Sequence, residues 1–153
     1  MFLQMSTLLE KQQGEYRIST DPNLLQFEVI YDFLCNHSYW AKGISREFVR
    51  KQLDSSTLHF GLYHGNQQVG YAQVLTNYTS FAYLGNVFVL PAHRGKGLSK
   101  WLMETIMSHS DLQTIRRWLL ATRDAHGLYR QFGFTELAKP ETIMEKFDPD
   151  AYI

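Results

Sequence analysis

The sequence RGKGLS, residues 94–99, decides the fold because of the segments on either side of it. Residues 82–90, AYLGNVFVL, are apolar and rich in strand-forming residues, and Pro91 ends them. Residues 100–107, KWLMETIM, repeat apolar side chains at helical spacing. A strand therefore leads through a glycine-rich turn directly into a helix. Unpaired backbone N–H groups and the helix dipole at such a start favour a phosphate or pyrophosphate ligand.

Two common phosphate-binding motifs disagree with the spacing of this loop. A nucleotide P-loop has Ser or Thr after its Lys, whereas Lys96 is followed by Gly97. A dinucleotide fingerprint has a third Gly three residues after the second, and that position here is Lys100. A solvated basic loop with an ordinary helix cap remains the alternative to a ligand site.

Composition narrows the class of protein. The chain has 153 residues, which is the size of one domain. Its 15 acidic and 15 basic residues balance, so we expect neither nucleic-acid nor anionic-membrane binding. The single cysteine, Cys35, excludes an intramolecular disulfide and a thiolate metal cluster. We expect a flexible leader over 1–13, one domain over 14–153, no metal, no membrane span and a cytoplasmic location.

The patterns along the chain predict an α/β fold with a mixed sheet. Predicted strands cover residues 16–20, 58–63, 68–75, 81–90, 117–122 and 143–147. Predicted helices cover residues 22–34, 45–53, 98–108 and 127–132. Gly65 and Asn66 lie between two alternating runs and predict a β-hairpin.

A second motif lies beyond the glycine-rich loop. Residues 125–134, AHGLYRQFGF, resemble the Ala-x-x-Leu-Tyr-x-x-x-Gly-Phe signature of the GCN5-related N-acetyltransferases. The loop at 94–99 is similar to the same family's Arg/Gln-x-x-Gly-x-Gly/Ala motif, with Ser99 replacing the last small residue. The resemblance extends over roughly residues 16–147. It implies a single-domain fold with flanking helices, whose mixed central sheet splays between strands 4 and 5 to admit acetyl-CoA.

The resemblance also implies which residues hold and use acetyl-CoA. The pyrophosphate would lie on the backbone of Arg94, Gly95, Lys96, Gly97, Leu98 and Ser99. Pantetheine would pair with the strand edge at Val87, Phe88 and Val89 and contact Thr122 and Ala125. Thr122 stands where the family often has Asn. Tyr129 would be the general acid, although a half-buried aromatic with an ordinary partner is its plain alternative.

The general base and the acceptor are less sharply indicated. Asp124 is the nearest carboxylate to the expected thioester, and a helix N-cap is its alternative role. His126, His93 and a chain of solvent water are the other candidates for the base. Acceptor pockets in the family involve the first helix–loop–helix and nearby loops, which here supply Tyr39, Trp40, Tyr83 and Arg123. These residues favour a small amine with an apolar or cationic portion. The resemblance thus implies an acetyl-CoA-dependent N-acetyltransferase, expected as a homodimer. A non-catalytic CoA-sensing domain and a protein or peptide N-acetyltransferase are the alternatives.

Overall fold

A six-stranded mixed sheet with helices on both faces forms the body of the protein. The computed structural model describes residues 7–55 and 58–153. The strands are β1 (Glu10–Gln13), β2 (Tyr16–Ser19), β3 (Leu58–His64), β4 (Gln67–Thr76), β5 (Ala82–Val89) and β6 (Trp118–Leu120). The helices are α1 (Phe27–Asp32), α2 (Arg46–Ser55), α3 (Leu98–Met107) and α4 (His126–Arg130).

The sheet follows the chain order, and only its last pair of strands is parallel. Strands β1 to β5 pair antiparallel with their sequence neighbours, and β6 pairs parallel with β5. The predicted β3–β4 hairpin is confirmed, and Gly65 adopts the positive φ of +58° that its tight turn requires. The parallel β5–β6 connection passes through α3, as a crossover between parallel strands requires.

Two apolar clusters hold the helices against the sheet. One cluster joins Leu102 and Ile106 of α3 to Phe60 and Leu62 of β3. The second joins the α1 and α2 region to β4 and β5 through buried residues, namely Ile30, Val49, Tyr71 and Phe88. The β5 side chains thus contribute to both clusters, and this fixes the strand that carries the candidate site.

The predicted first helix is divided into three pieces. Asp21 does cap a start, but its Oδ1 accepts from Asn23 N–H (2.9 Å) in a 3₁₀ turn at Pro22–Leu24. Helix α1 begins only at Phe27, and a π-helical segment, Phe33–His37, follows it. The predicted start of α2 is confirmed, because Ser45 Oγ accepts from Phe48 N–H at 3.1 Å.

Both ends of the chain differ from the prediction. Residues 10–13 of the predicted leader form β1, which pairs with β2 across a turn at Gly14; residues 1–6 lie outside the described residues. The pattern gave no signal for β1 because its four residues are polar and exposed on both faces. The predicted closing strand at 143–147 is wrong, since residues 144–147 are exposed and residues 143–147 form no strand. Because β1 adds one strand before the first predicted one, the splay expected between strands 4 and 5 corresponds to the gap between β5 and β6.

Buried His59 makes stability depend on pH. Burial lowers the pKa of His59, whose Nδ1 lies 2.5 Å from the Tyr71 hydroxyl. The unfolded chain therefore binds a proton on His59 more readily than the folded chain. The contribution of neutral His59 to the free energy of unfolding is fully present above about pH 6.5 and is lost as pH falls. We expect His59→Gln to flatten the loss of unfolding free energy between pH 7 and pH 5 in urea titrations. The exposed His37→Gln control should follow the wild type, and a wild-type slope in His59→Gln would contradict the assignment.

Candidate active site

The glycine-rich loop lies where the sequence places it, between β5 and α3. A 3₁₀ turn at Pro91–His93 ends the strand, and α3 begins at Leu98. Gly95 (φ +77°) and Gly97 (φ +73°) both have left-handed backbone conformations. A Cβ at either position would meet no atom within 4 Å, so the surface above the loop is open. The glycines are required by backbone conformation and leave room for a ligand to approach the main chain.

Arg94 fastens this loop to the sheet. Its Nε–H donates to the Val89 carbonyl at 2.9 Å, and its backbone N–H donates to the Pro91 carbonyl at 3.3 Å. The first i→i−4 bond of α3 runs from Trp101 N–H to the Gly97 carbonyl. The N–H groups of the helix residues before Trp101 therefore have no partner within the helix, and they lie at the positive end of its dipole. This arrangement fits an anionic phosphate, with Gly95–Ser99 as donors and Arg94 as the anchor.

A group of polar rings borders the glycine-rich loop, and the sequence analysis did not predict the contacts among them. The Tyr16 hydroxyl lies 2.8 Å from His93 Nδ1 and 3.4 Å from Lys96 Nζ. The rings of His64 and His93 lie 5.3 Å apart, and burial, His64 and Lys96 lower the pKa of His93. His93 thus belongs to the surroundings of the loop and not to the cavity that contains Tyr129.

The sheet opens between β5 and β6, as the resemblance implies. Their pairing runs from Ala82–Trp118 to Leu84–Leu120 and ends there. From Gly85 to Val89, β5 has no strand partner on this side among residues 7–55 and 58–153. A cavity of about 400 Å³ occupies the opening. Its volume is in the range of pockets for small ligands.

A bulge in β5 lies at this opening. Asn86 has a φ of +52°, and the β4–β5 register shifts opposite it. Its side-chain amide donates to Gln52 Oε1 (3.1 Å) and Gln73 Oε1 (2.9 Å), and its Oδ1 accepts from Trp40 Nε1 (2.9 Å). Three separate elements therefore hold the strained residue in place. The Gly85-Asn86 pair within an apolar run was the available signal, because both residues tolerate positive φ.

Tyr129 lies at the cavity with its ring packed in the core. It is 8% exposed and contacts the Phe134 ring edge-to-face at 6.0 Å. Gly133 (φ +88°) turns the chain after α4, so Phe134 N–H donates to the Tyr129 carbonyl at 3.3 Å. The Tyr-x-x-x-Gly-Phe spacing thus fixes the tyrosine ring. Burial, followed by Tyr39 and Asp124, raises the pKa of Tyr129 to about 12.

The residues between β6 and α4 organise the start of α4 and also border the cavity. Thr122 Oγ1 accepts from Ala125 N–H at 3.0 Å, so Thr122 organises the start of α4. Asp124 is not the N-cap, because Ala125 occupies that position without a side-chain cap. The Asp124 carboxylate lies 3.9 Å from the Arg123 guanidinium, and both side chains are exposed. Asp124 nevertheless borders the same cavity as Tyr129.

Aromatic side chains form the opposite wall of the cavity. Tyr39 and Trp40 meet edge-to-face at 5.0 Å, and the Arg123 guanidinium lies 4.0 Å from the Tyr39 ring. The Tyr39 hydroxyl accepts from Arg123 N–H at 2.8 Å. Burial raises the pKa of Tyr83, whose ring completes this wall. All four residues predicted for the acceptor therefore border one cavity.

The structure separates the predicted site residues into three groups. Nine border the cavity: Tyr39, Trp40, Tyr83, Val87, Thr122, Arg123, Asp124, Ala125 and Tyr129. The loop residues 94–99 lie beyond the end of β5 and do not border it. Phe88 and Val89 are buried, so only their backbone could serve a ligand at the strand edge.

Two classes of feature are absent from the described part of the chain. No cluster of three or more His, Cys, Asp or Glu residues is placed to hold a metal ion there. None of the helices in the same residues has the length and apolarity needed to cross a bilayer.

Comparison with known proteins agrees with this architecture. The sequence model of the acetyltransferase (GNAT) domain matches residues 54–136, from the end of α2 to just beyond the Gly-Phe turn. A candidate acetyltransferase of Gibberella zeae is 30% identical over 139 residues, which is 76% of this chain and 77% of that protein. The chain belongs to the GNAT acetyltransferase family. It is therefore an acyltransferase, and the family generally uses acetyl-CoA as acetyl donor.

Solved structures extend the likeness to the whole GNAT fold. A GNAT-family protein of Xanthomonas campestris pv. campestris superimposes with a TM-score of 0.87 at 45% identity, covering 92% of this chain and 99% of that one. Glucosamine-6-phosphate N-acetyltransferase of Arabidopsis thaliana superimposes with a TM-score of 0.60 at 14% identity. The superposition covers 86% of this chain and 97% of the Arabidopsis chain. The second likeness concerns the fold alone.

Proposed function

We propose that this GNAT protein transfers the acetyl group of acetyl-CoA to the primary amine of a small molecule, with Tyr129 as general acid. One observation carries the proposal. The same 400 Å³ cavity is bordered by the unpaired edge of β5, by Tyr129 and by the aromatic wall of Tyr39 and Trp40. The open glycine-rich loop follows the end of that same strand.

The donor side of the site fits acetyl-CoA. N–H groups from Gly95 to Ser99 suit the pyrophosphate, and hydrogen bonds to charged groups contribute about 1.5–3 kcal/mol each. The β5 edge from Val87 to Val89 suits the pantetheine amides, which would add to it like a strand. Bound in this way, acetyl-CoA supplies an activated thioester. A β5 N–H next to the bulge at Asn86 would polarise its carbonyl.

The reaction makes one bond and breaks one. The amine nitrogen bonds to the acetyl carbon, the carbon–sulfur bond breaks, and the electron pair leaves on sulfur. Tyr129 offers its O–H to that sulfur. Because its pKa is about 12, full proton transfer to a thiolate of pKa about 8.5 is uphill by roughly 5 kcal/mol. Tyr129 would therefore hydrogen-bond to the departing sulfur and give up its proton in step with the loss of the proton from the acylated nitrogen. Asp124 would accept the nitrogen's proton through water and release it to solvent, and solvent would return a proton to Tyr129.

The acceptor side fits a small amine with an apolar or cationic portion. Tyr39, Trp40 and Tyr83 offer ring faces, and an exposed cation–π contact contributes about 0.5–1 kcal/mol. Arg123 and Asp124 add an opposite-charge pair at the rim, which would suit an acceptor that carries both a carboxylate and an amine.

The test is acetyl transfer to a panel of small amines and short peptides, measured as the release of free thiol from acetyl-CoA. We expect turnover with small amines, and Trp40→Ala to raise the KM for the amine roughly fivefold and the KM for acetyl-CoA by less. Phe81→Ala is the matched control, because Phe81 is 40% exposed, close to the 38% of Trp40, and does not border the cavity. Turnover with peptides alone would favour a protein acetyltransferase, and binding without turnover a CoA sensor.

A further inference from the structure

The bulge in β5 changes the face of the sheet on which the later side chains lie. Between the pairs Tyr71–Phe88 and Gln73–Gly85, β4 has one residue and β5 has two. Leu84 and Phe88 are four positions apart, so a regular strand would place both on one face. Instead Leu84 packs in the cluster that contains α3, and Phe88 packs in the cluster that contains α1 and α2. Core packing on both faces therefore favours the bulged register independently of the side-chain hydrogen bonds at the bulge.

The Asn86 side chain gives this bulge one specific orientation. Its Nδ2 has two protons, and it donates to Gln52 Oε1 at 3.1 Å and to Gln73 Oε1 at 2.9 Å. Gln73 is buried and is itself held, because its Nε2 donates to the Gln52 carbonyl at 3.2 Å. These contacts direct the Asn86 Oδ1 toward Trp40, which donates to it. We call these four residues, Asn86, Gln52, Gln73 and Trp40, the Asn86 network.

Trp40 reaches the bulge by two routes. Its Nε1–H donates to Asn86 Oδ1 at 2.9 Å, and its ring centroid lies 6.1 Å from that of Phe33. Phe33 stacks on Phe88, two residues after Asn86, with 4.1 Å between the ring centroids. Phe33 and Phe88 are buried, whereas Trp40 is partly exposed at the cavity. A ligand that covers Trp40 would therefore touch the exposed end of a series of contacts that ends at the bulge.

We propose that Asn86 is a positioning residue that couples the acceptor wall to the carbonyl-activating backbone of β5. The inference rests on the proposed function, because it assigns the β5 N–H next to the bulge to the thioester carbonyl. An acceptor lying on Trp40 would exclude water from the hydrogen bond between Trp40 and Asn86. Hydrogen bonds are stronger where water is excluded, so acceptor binding would hold the bulge in one orientation. The N–H would then be aimed at the carbonyl most firmly when both substrates are bound.

Two substitutions break the Asn86 network at its two ends. Asn86→Gly deletes the amide, and glycine adopts the φ of +52° without strain. Trp40→Phe deletes the indole N–H and keeps a ring against Phe33. We expect kcat to fall about tenfold in Asn86→Gly and about threefold in Trp40→Phe, because a small misplacement of reacting groups is costly. The double variant should be no slower than Asn86→Gly alone, since Trp40 acts through Asn86, whereas independent effects would multiply to about thirtyfold.

The indole N–H resonance of Trp40 reports on the same coupling without turnover. The resonance is assigned by its loss in Trp40→Phe. Acetyl-CoA should shift it in the wild type, and CoA, which has no thioester carbonyl, should shift it less. In Asn86→Gly the two ligands should have the same effect on it. Trp118→Phe is the matched control: it deletes an indole N–H that does not border the cavity, keeps a ring against Phe134, and should leave both kcat and the Trp40 response unchanged.

Thermal unfolding with acetyl-CoA separates failure of this inference from failure of the proposed function. No rise in the unfolding midpoint would contradict acetyl-CoA binding, and the proposed function and the coupling would fall together. If acetyl-CoA binds and no amine is acetylated, the proposed function fails and the Trp40 resonance still decides the coupling. Equal responses of that resonance to acetyl-CoA and CoA in the wild type overturn the coupling. So does a difference that survives in Asn86→Gly, or a double variant whose kcat falls by the product of the single effects.

Discussion

Gly97→Glu removes the stabilisation of the fold by acetyl-CoA, whereas the wild type gains several degrees. A ligand at 100-fold its dissociation constant adds about 2.7 kcal/mol to the free energy of unfolding. For a domain of this size each kcal/mol moves the unfolding midpoint by roughly 2–4 °C, so we expect a rise of about 5–11 °C. The measurement is thermal unfolding with and without acetyl-CoA at one protein concentration.

The physical reason is the position of residue 97 at the start of α3. A glutamate there would place a carboxylate above the N–H groups offered to the pyrophosphate, and like charges repel. The variant also bears backbone strain, since Gly97 has a φ of +73° and non-glycine residues lose about 1–2 kcal/mol in that region. The quantity to compare is therefore the ligand-induced shift and not the midpoint itself.

Gly14→Glu is the control for that strain. Gly14 has a φ of +59° and open space around its Cα, and it lies in the β1–β2 turn. It should lose a similar amount of stability and keep the full acetyl-CoA shift. If acetyl-CoA still raised the unfolding midpoint of Gly97→Glu, the loop would not be part of the binding site. No shift in the wild type would contradict acetyl-CoA binding as a whole.

The glycine-rich loop could be predicted because its determinants are local. Positive φ at Gly95 and Gly97, the end of β5 at Pro91 and the helical spacing after it are all encoded within some twenty residues. The same holds for the Gly133 turn, which fixes the ring of Tyr129 through contacts five residues away. Short-range geometry of this kind leaves its mark directly on residue type.

The Asn86 network could not be predicted, because it joins residues far apart in the chain. Asn86 meets Gln73 and Gln52, which lie 13 and 34 positions away, and Trp40 at 46 positions. Each of these residues alone looks like an ordinary surface amide or ring. The prediction at 143–147 erred in the other direction: its composition is that of a strand, yet residues 143–147 pair with no strand in the described part of the chain.

Tyr129→Phe lowers kcat for acetyl transfer about 100-fold and leaves the KM for acetyl-CoA unchanged within about twofold. General acids contribute 10²–10⁴-fold, and the raised pKa of Tyr129 makes it a weak acid, which favours the lower end of that range. The phenylalanine ring keeps the edge-to-face contact with Phe134, so the unfolding midpoint should move little. Steady-state kinetics with the best amine of the panel measures both constants. Tyr31→Phe is the control, because it removes a hydroxyl outside the cavity.

The pH dependence of kcat separates this role from a structural one. With a pKa of about 12, Tyr129 remains protonated across the range in which the enzyme can be assayed, so its ionisation should produce no fall in kcat between pH 7 and pH 10. The solvated tyrosine value lies near 10, and a decline centred there would show that burial does not raise the pKa of the acid. Equal kcat in Tyr129→Phe and the wild type would remove the hydroxyl from the reaction. The cavity between β5 and β6 would then bind the thioester while solvent protonates the departing sulfur.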